Sequence, residues 1–270
     1  MKTAFFSSCL TVFLLPVVCA GVFSRPLQAD EIAQNDPLAV KTPERMVYVP
    51  AGPFLMGTDR EDSTGPNVPR FNNDARPQHI VNVAAFYMDK TEVTNAQYKR
   101  YCEATGYPPP PHWHDGNYAE GEADFPVTRV NCWEAVAYAA WAGKRLPTEA
   151  EWEKAARGTD RRNYPWGNDW NPAVVVADGQ APLPVGSRPE GASPYGALDL
   201  AGNVFEWTDS WYQAYPGSPH NFREFGTIYK VVRGGGFFGN RSDCQTHYRS
   251  VARPQTRSEG LGFRCVKDAK

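Results

Sequence analysis

From Met46 to Met56 the chain reads MVYVPAGPFLM, an alternating stretch, a Pro-Ala-Gly-Pro turn and a second apolar stretch, which predicts two strands. A polar loop follows from Gly57 to Gln78. His79 to Met88 alternates again through Ile80, Val81, Val83 and Phe86, and predicts one further strand ending at Asp89-Lys90. The period then lengthens. Thr94-Asn-Ala-Gln97 fits a capping box and opens a helix to about Ala104, with Cys102 on its last turn and Gly106 and Pro108 to Pro111 as the stop. Trp133 to Trp141 is apolar at helical spacing and ends at Gly143. Thr148-Glu-Ala-Glu151 is a second capping box, opening a helix that ends at Gly158. On this third helix Glu149, Glu151 and Glu153 stand two residues apart, which points neighbours to different faces and reads as a solvated surface. Beyond Gly158 turn signals recur every few residues, and only Tyr229 to Val232 and Gly262 to Val266 read as strands.

Composition explains how such a chain still folds. The 270 residues include 23 Gly and 24 Pro, too punctuated for a helical bundle, while 13% aromatic residues and eight Trp supply a compact core. Long irregular stretches need other support, and disulfides and metal ions are the usual means. The net charge of -2, spread without runs, offers no electrostatic footprint for nucleic acid or an anionic membrane.

Residues 1–20, MKTAFFSSCLTVFLLPVVCA, read as a secretory signal peptide: one early Lys, an apolar stretch and small residues at the end. The stretch is shorter than the roughly 20 residues of a membrane span and is broken by Ser7, Ser8 and Pro16. Cleavage fits after Ala20 and as late as Ala29. Residues 21–44 read as a flexible leader and 45–268 as the domain of a secreted or periplasmic protein with no membrane span after cleavage. Losing Cys9 and Cys19 leaves Cys102, Cys132, Cys244 and Cys265 in an oxidising compartment, an even number that permits two disulfides in any of three pairings. No Cys-x-x-Cys motif is present.

Within Leu198-Asp-Leu-Ala-Gly-Asn-Val-Phe-Glu-Trp207, Asp199 and Glu206 offer carboxylates, and a turn at Gly202-Asn203 aims the carbonyls of Gly202 and Val204 at the same point. An all-oxygen set suits calcium; the bland reading is a capped turn with two solvated acids. Asn163-Tyr-Pro-Trp-Gly-Asn168 and Arg233-Gly-Gly-Gly236 are tight turns without the Lys-Ser/Thr of a nucleotide loop. Cys244 stands three residues from His247, a spacing that suits thiol activation or soft-metal binding as well as a half-cystine beside an unrelated imidazole. His112-Trp-His114-Asp115 lacks further zinc ligands at suitable spacing and reads as a surface loop.

Taken together, Val49 to Gly57, Glu92-Val-Thr-Asn95, Gly143 to Glu153, Tyr164 to Asn168, Tyr195 to Trp207, Val232-Arg-Gly-Gly235 and Leu261-Gly-Phe-Arg-Cys265 resemble, in this order, the formylglycine-generating enzyme family, or sulfatase-modifying factors. The resemblance covers about residues 45–266. It implies an α+β, irregular and decorated C-type-lectin-like fold with little regular secondary structure. Members that make formylglycine oxidise a sulfatase cysteine with molecular oxygen and a copper ion held by two thiolates. Here the second thiolate matches Cys244, but the first falls on Gly239. In the same pocket Phe205, Gly236, Gln245 and Gly260 stand where the family carries tryptophan, serine, arginine and asparagine, and the glycines are expected to widen the groove. Copper is therefore not expected. Asp199, Gly202, Val204 and Glu206 fall on one of the family's structural calcium sites, whereas its other calcium loop has no counterpart in Asn171 to Val185, so one ion is expected.

These readings lead to an exported sulfatase-modifying-factor-like protein that binds an exported protein, a peptide or a small molecule as an accessory or maturation factor. The competing reading is an oxidoreductase acting on an exported protein or on a siderophore or cofactor precursor, formylglycine generation included. Cys244 and His247 are the candidate catalytic residues under that second reading.

Overall fold

A computed structural model describes residues 45–60 and 74–269, besides Met1 and Pro43, and these two segments belong to one compact unit. The expected signal peptide and leader lie outside the described residues. Strand β1 (Met46–Val49) runs antiparallel to β4 (Phe86–Asp89), and β4 to β9 (Val266–Asp268), so the first and last strands of the domain share a three-stranded sheet. Strands β2 (Gly52–Met56) and β3 (His79–Val83) form a separate antiparallel pair. The single strand expected over His79 to Met88 is thus two strands in two sheets, broken at Ala84-Ala85, because the period-2 pattern continues on both sides of the break and does not report a change of partner.

All three helices form. They are α1 (Asn95–Thr105), α2 (Cys132–Trp141) and α3 (Glu149–Arg157). Thr94 and Thr148 close the two capping boxes read from sequence, and Asn131 with Glu134 closes a third at the start of α2. Past Gly158 the described chain has no α-helix: besides β9 it forms 3-10 turns at Pro172–Val174 and Pro189–Gly191 and a four-stranded sheet in the order β7-β6-β5-β8. Its strands are β5 (Phe205–Trp211), β6 (Lys230–Arg233), β7 (Ser250–Ala252) and β8 (Leu261–Gly262), with β5 and β8 parallel and the rest antiparallel. Sequence periodicity finds β6 and misses β5, whose FEWTDSW alternates poorly because Glu206, Trp207 and Thr208, three residues in succession, are all buried, two of them polar.

Disulfides do not hold the irregular half. Cys102, Cys132, Cys244 and Cys265 are free and buried, so the disulfides that their even number permits are not formed. The reason is packing: Cys102, Cys132 and Cys265 act as small apolar side chains in the cluster built on Tyr98, Trp207 and Phe263. Cys244 sits in a separate cluster with Tyr164, Val175, Ala177 and Ala201. The structural role expected of disulfides falls instead to buried arginines. Arg233, Arg249 and Arg264 are each at most 1% exposed and are among the largest fully buried side chains.

Candidate functional site

Strand β6 delivers the chain into Gly234 and Gly235, both at positive φ (99° and 73°), and the Gly234 carbonyl accepts from the Gly202 N–H at 2.8 Å. The glycine turn and the Asp199 to Glu206 loop are thereby fixed against each other. Gly235 is required: a Cβ there would stand 3.1 Å from Cys244 Sγ and 3.0 Å from the Asp243 carbonyl. Cys244 itself is fully buried, and burial, then the charges of Asp243 and Asp178, push its thiol up to about 12. It is a protonated thiol at neutral pH. The first thiolate position, at Gly239, is crowded as well as empty of sulfur, since a Cβ there would stand 3.1 Å from Asp243 Oδ2 and 3.2 Å from the Gly236 carbonyl. Asp243 holds that place by accepting from the Asn240 N–H at 2.9 Å.

The widened groove expected at the glycines is filled. Phe238 occupies it: a Cβ on Gly260 would lie 2.0 Å from the Phe238 ring, and one on Gly236 would touch Phe238 at 3.5 Å and Phe205 at 3.4 Å. The Phe205 and Phe238 rings stand 6.0 Å apart and tilted. Removing the side chains at 236 and 260 makes room for a phenyl ring, which lies over the glycines while remaining 54% exposed. Gln245, half-buried, hydrogen-bonds Tyr164 of the Asn163 to Asn168 turn, whose Tyr164 and Trp166 rings stack at 5.2 Å.

His247 does not serve Cys244. Its imidazole is pushed down to about 3 by burial and then by Arg157, Arg233 and Arg60, while the charges that act on Cys244 are acidic. The two residues face different surroundings. His112 is half-buried and held below its ordinary value by burial, whereas His114 is exposed, and among the described residues no group of three or more His, Cys, Asp or Glu is placed to hold a metal ion.

The Asp199 to Glu206 loop enters β5. Asp199, at φ 58°, accepts from the Gly186 N–H at 2.6 Å, and Val204 and Glu206 are fully buried. Glu206 accepts from Arg264 at 2.8 and 2.7 Å, a two-pronged pair, and from the Trp152 indole N–H at 2.8 Å. Glu92, just before α1, accepts from Asn203 Nδ2 at 3.0 Å through Oε1; its Oε2 has no hydrogen-bond partner in the protein and stands 3.9 Å from Arg264. Burial and then the charge of Asp199 hold the Glu92 carboxyl well above the usual range. Three acids thus share one arginine. The surplus negative charge beside an orphaned carboxylate oxygen and the all-oxygen chemistry of Asp199, Glu206 and two backbone carbonyls fit a hard cation.

Sequence reasoning missed the arginines and misread the acids of α3. Glu149, Glu151 and Glu153 are buried, and Glu149 and Glu153, four apart, share a face. Glu153 accepts from Arg157 at 2.7 Å and Arg233 at 2.6 Å, and Glu149 from Arg249 at 2.7 and 3.0 Å. The signal available was the i, i+4, i+8 spacing of Glu149, Glu153 and Arg157.

Beside the glycine hollow lies a cavity of about 410 Å³, whose lining includes Phe237 and Glu259, the chain neighbours of Phe238 and Gly260.

The sulfatase-modifying factor enzyme 1-like domain matches residues 31–269. Hercynine oxygenase of Mycolicibacterium smegmatis is 33% identical over 266 residues, covering 82% of this chain and 61% of that protein, so the chain spans about three fifths of that relative's length. Formylglycine-generating enzyme of Bos taurus is 31% identical, covering 84% of this chain and 75% of that protein. Among solved structures, that of PvdO from Pseudomonas aeruginosa superposes with a TM-score of 0.65 at 26% identity, covering 83% of this chain and 94% of that one, in keeping with the irregular C-type-lectin-like α+β fold. The chain belongs to the sulfatase-modifying factor, or formylglycine-generating enzyme, family.

Proposed function

We propose that this chain is an exported member of the family that does not use the two-thiolate copper chemistry and acts as a binding or accessory factor for an exported protein, a peptide or a small molecule. One observation carries the reading: at the place of the copper pair stand Gly239, whose side-chain space Asp243 crowds, and a fully buried Cys244 whose thiol is raised to about 12. A single protonated thiol in an apolar shell does not fit a bis-thiolate copper ion. Phe238 in the adjoining hollow adds to this, since it fills the space beside that position. The competing reading, an oxidoreductase, is favoured by the names of the relatives, formylglycine-generating enzyme and hercynine oxygenase. Anaerobic titration with copper(I), on the protein and on Cys244→Ser, separates the copper-dependent form of that reading from ours. The expected result is no stoichiometric binding that depends on Cys244. Tight 1:1 binding lost in Cys244→Ser would overturn the proposal.

The same reading includes one structural calcium ion, held by Asp199, Glu206 and the carbonyls of Gly202 and Val204. When bound, the ion supplies positive charge to a buried cluster in which Glu92 Oε2 lacks a partner.

A further inference from the structure

The slightly acidic chain has one place where cations from distant segments gather. A recess of about 500 Å³, within the range of small-molecule sites, is bounded by Arg45 before β1, Lys90 after β4, Arg100 in α1 and Lys144 after α2. The four come from separate parts of the sequence, so no run of charge announces them. Arg45, Lys90 and Arg100 are exposed, and among the described residues none of their side chains makes a hydrogen bond or an ion pair. Lys144 is committed: its Nζ meets Asp89 Oδ1 at 2.5 Å.

The acids that also line the recess do not balance these charges. Asp89 spends its other oxygen on the Cys265 N–H, at 3.0 Å. Glu92 is 1% exposed and is met in the interior by Asn203 and Arg264. Asp124, exposed, is the one that remains. Three unmatched cations thus stand against one acid around a concave surface, where the field of like charges is focused rather than dispersed. Gln97 adds a neutral donor to the lining. Its Oε1 accepts from the Thr94 N–H at 2.9 Å, and its Nε2 has no partner among the described residues. The backbone at the start of α1 is not free to help, since the Asn95 and Ala96 N–H groups donate to the Phe125 and Ala123 carbonyls at 2.9 Å and that of Gln97 to Thr94 Oγ1 at 3.2 Å. Recognition here falls to side chains.

We propose that this recess binds a small molecule through a doubly charged phosphate group, met by Arg45, Lys90 and Arg100 with the Gln97 amide beside them. A phosphate monoester carries both charges on one tetrahedral group that cations reach from several sides at once, and the guanidinium fork matches its oxygens. Bound there, it also relieves the repulsion among the three cations. The site uses neither Cys244 nor the glycine turn, so the copper titration and the test of this recess read different residues and fail separately.

The test is 31P NMR of glycerol 3-phosphate titrated with the whole protein at about pH 7.5, where a phosphate monoester is a dianion. Saturable binding with a Kd of about 1 mM or tighter is expected, weakening at least about fivefold as salt rises from about 0.05 to about 0.5 M, because the attraction acts through exposed charges. Succinate, which splits its two charges between separate carboxylates, is expected to compete at least about tenfold less effectively. Lys90→Gln and Arg100→Gln, at exposed positions without polar partners, are each expected to keep the melting temperature and to weaken binding at least about fivefold. Arg161→Gln, which removes an exposed arginine from another part of the surface, is expected to leave binding unchanged. Absence of saturation, succinate competing as well as the phosphate ester, binding undiminished in the folded Lys90 and Arg100 variants, or an equal loss in Arg161→Gln would each overturn the proposal.

Discussion

Cys244 lies among Tyr164, Val175, Ala177 and Ala201, and taking a thiolate out of water costs far more than taking out a thiol, which is why its ionisation moves up rather than down. The spacing Cys244 to His247 was legible in the sequence, and the environment that decides its chemistry was not, since that comes from residues far away in the chain. His247 shows the same point with the opposite sign. Burial and the cationic groups Arg157, Arg233 and Arg60 lower its pKa from the ordinary 6.5 to about 3. A base whose folded pKa is lowered contributes stability that is complete above 6.5 and is lost as pH falls toward 3, because the unfolded chain takes up the proton first. Asp74 works in the other direction, its carboxyl raised from 3.8 to about 6 by burial, so a pH profile of the wild type alone mixes the two. The difference between wild type and His247→Gln isolates the imidazole. Denaturant unfolding is expected to show the wild type losing ground to the variant below pH 6.5, by at most about 1.4 kcal/mol per pH unit. Parallel profiles would mean that His247 takes up its proton in the folded protein as readily as in the unfolded chain.

At the scale of elements, what the sequence made legible was local. Capping boxes close within four residues, so Thr94 and Thr148 mark their helices without help from the rest of the fold, and α1 and α3 begin where those boxes put them. Strand β5 was hidden because its partners, β6 and β8, lie 19 or more residues away and its inward residues include Glu206, paired with Arg264. The acids of α3 were misjudged for the same reason: a carboxylate counts as solvated until its arginine is known. The loop that enters β5 carries the element-scale prediction. Proposed calcium at Asp199, Gly202, Val204 and Glu206 relieves the repulsion among Asp199, Glu206 and Glu92 and fixes the loop against the Gly234 carbonyl. Adding a chelator is expected to lower the melting temperature of the wild type by several degrees, since an ion bound only by the folded state stabilises it by mass action. Asp199→Ala is expected to melt lower and to show no response to chelator. A chelator-independent wild-type melt, measured after confirming by metal analysis that the sample carried calcium, would remove the ion from the description.

Over the whole molecule, α3 is the hub to which distant segments are tied by charge. Its Glu153 accepts from the Gly57 N–H at 2.7 Å, and Arg157 donates to the Leu55 and Gly57 carbonyls at 3.1 and 2.7 Å, holding β2. Arg233 reaches the same Glu153 from β6 and donates to the Thr246 carbonyl at 2.7 Å. Arg249 links Glu149 to the carbonyls of Asp74 and Gln213 at 2.9 and 3.0 Å. Loop carbonyls that no sheet or helix satisfies are thus met by guanidinium donors, which explains how so much irregular backbone stays buried without disulfides. Such a network is costly to assemble and costlier to break on one side, because the partner left behind is a buried, uncompensated charge. Glu149→Gln and Arg249→Met are each expected to destabilise the protein by about 3–5 kcal/mol. The double variant leaves neither charge alone, so it is expected to fall short of the sum of the two by about 1–3 kcal/mol. Arg249 also donates to two backbone carbonyls that no longer have a donor in either arginine variant, and therefore the double variant remains well below wild type. Strict additivity in urea unfolding would show that Glu149 and Arg249 hold their segments independently, and that the hub is a meeting of separate contacts rather than one coupled network.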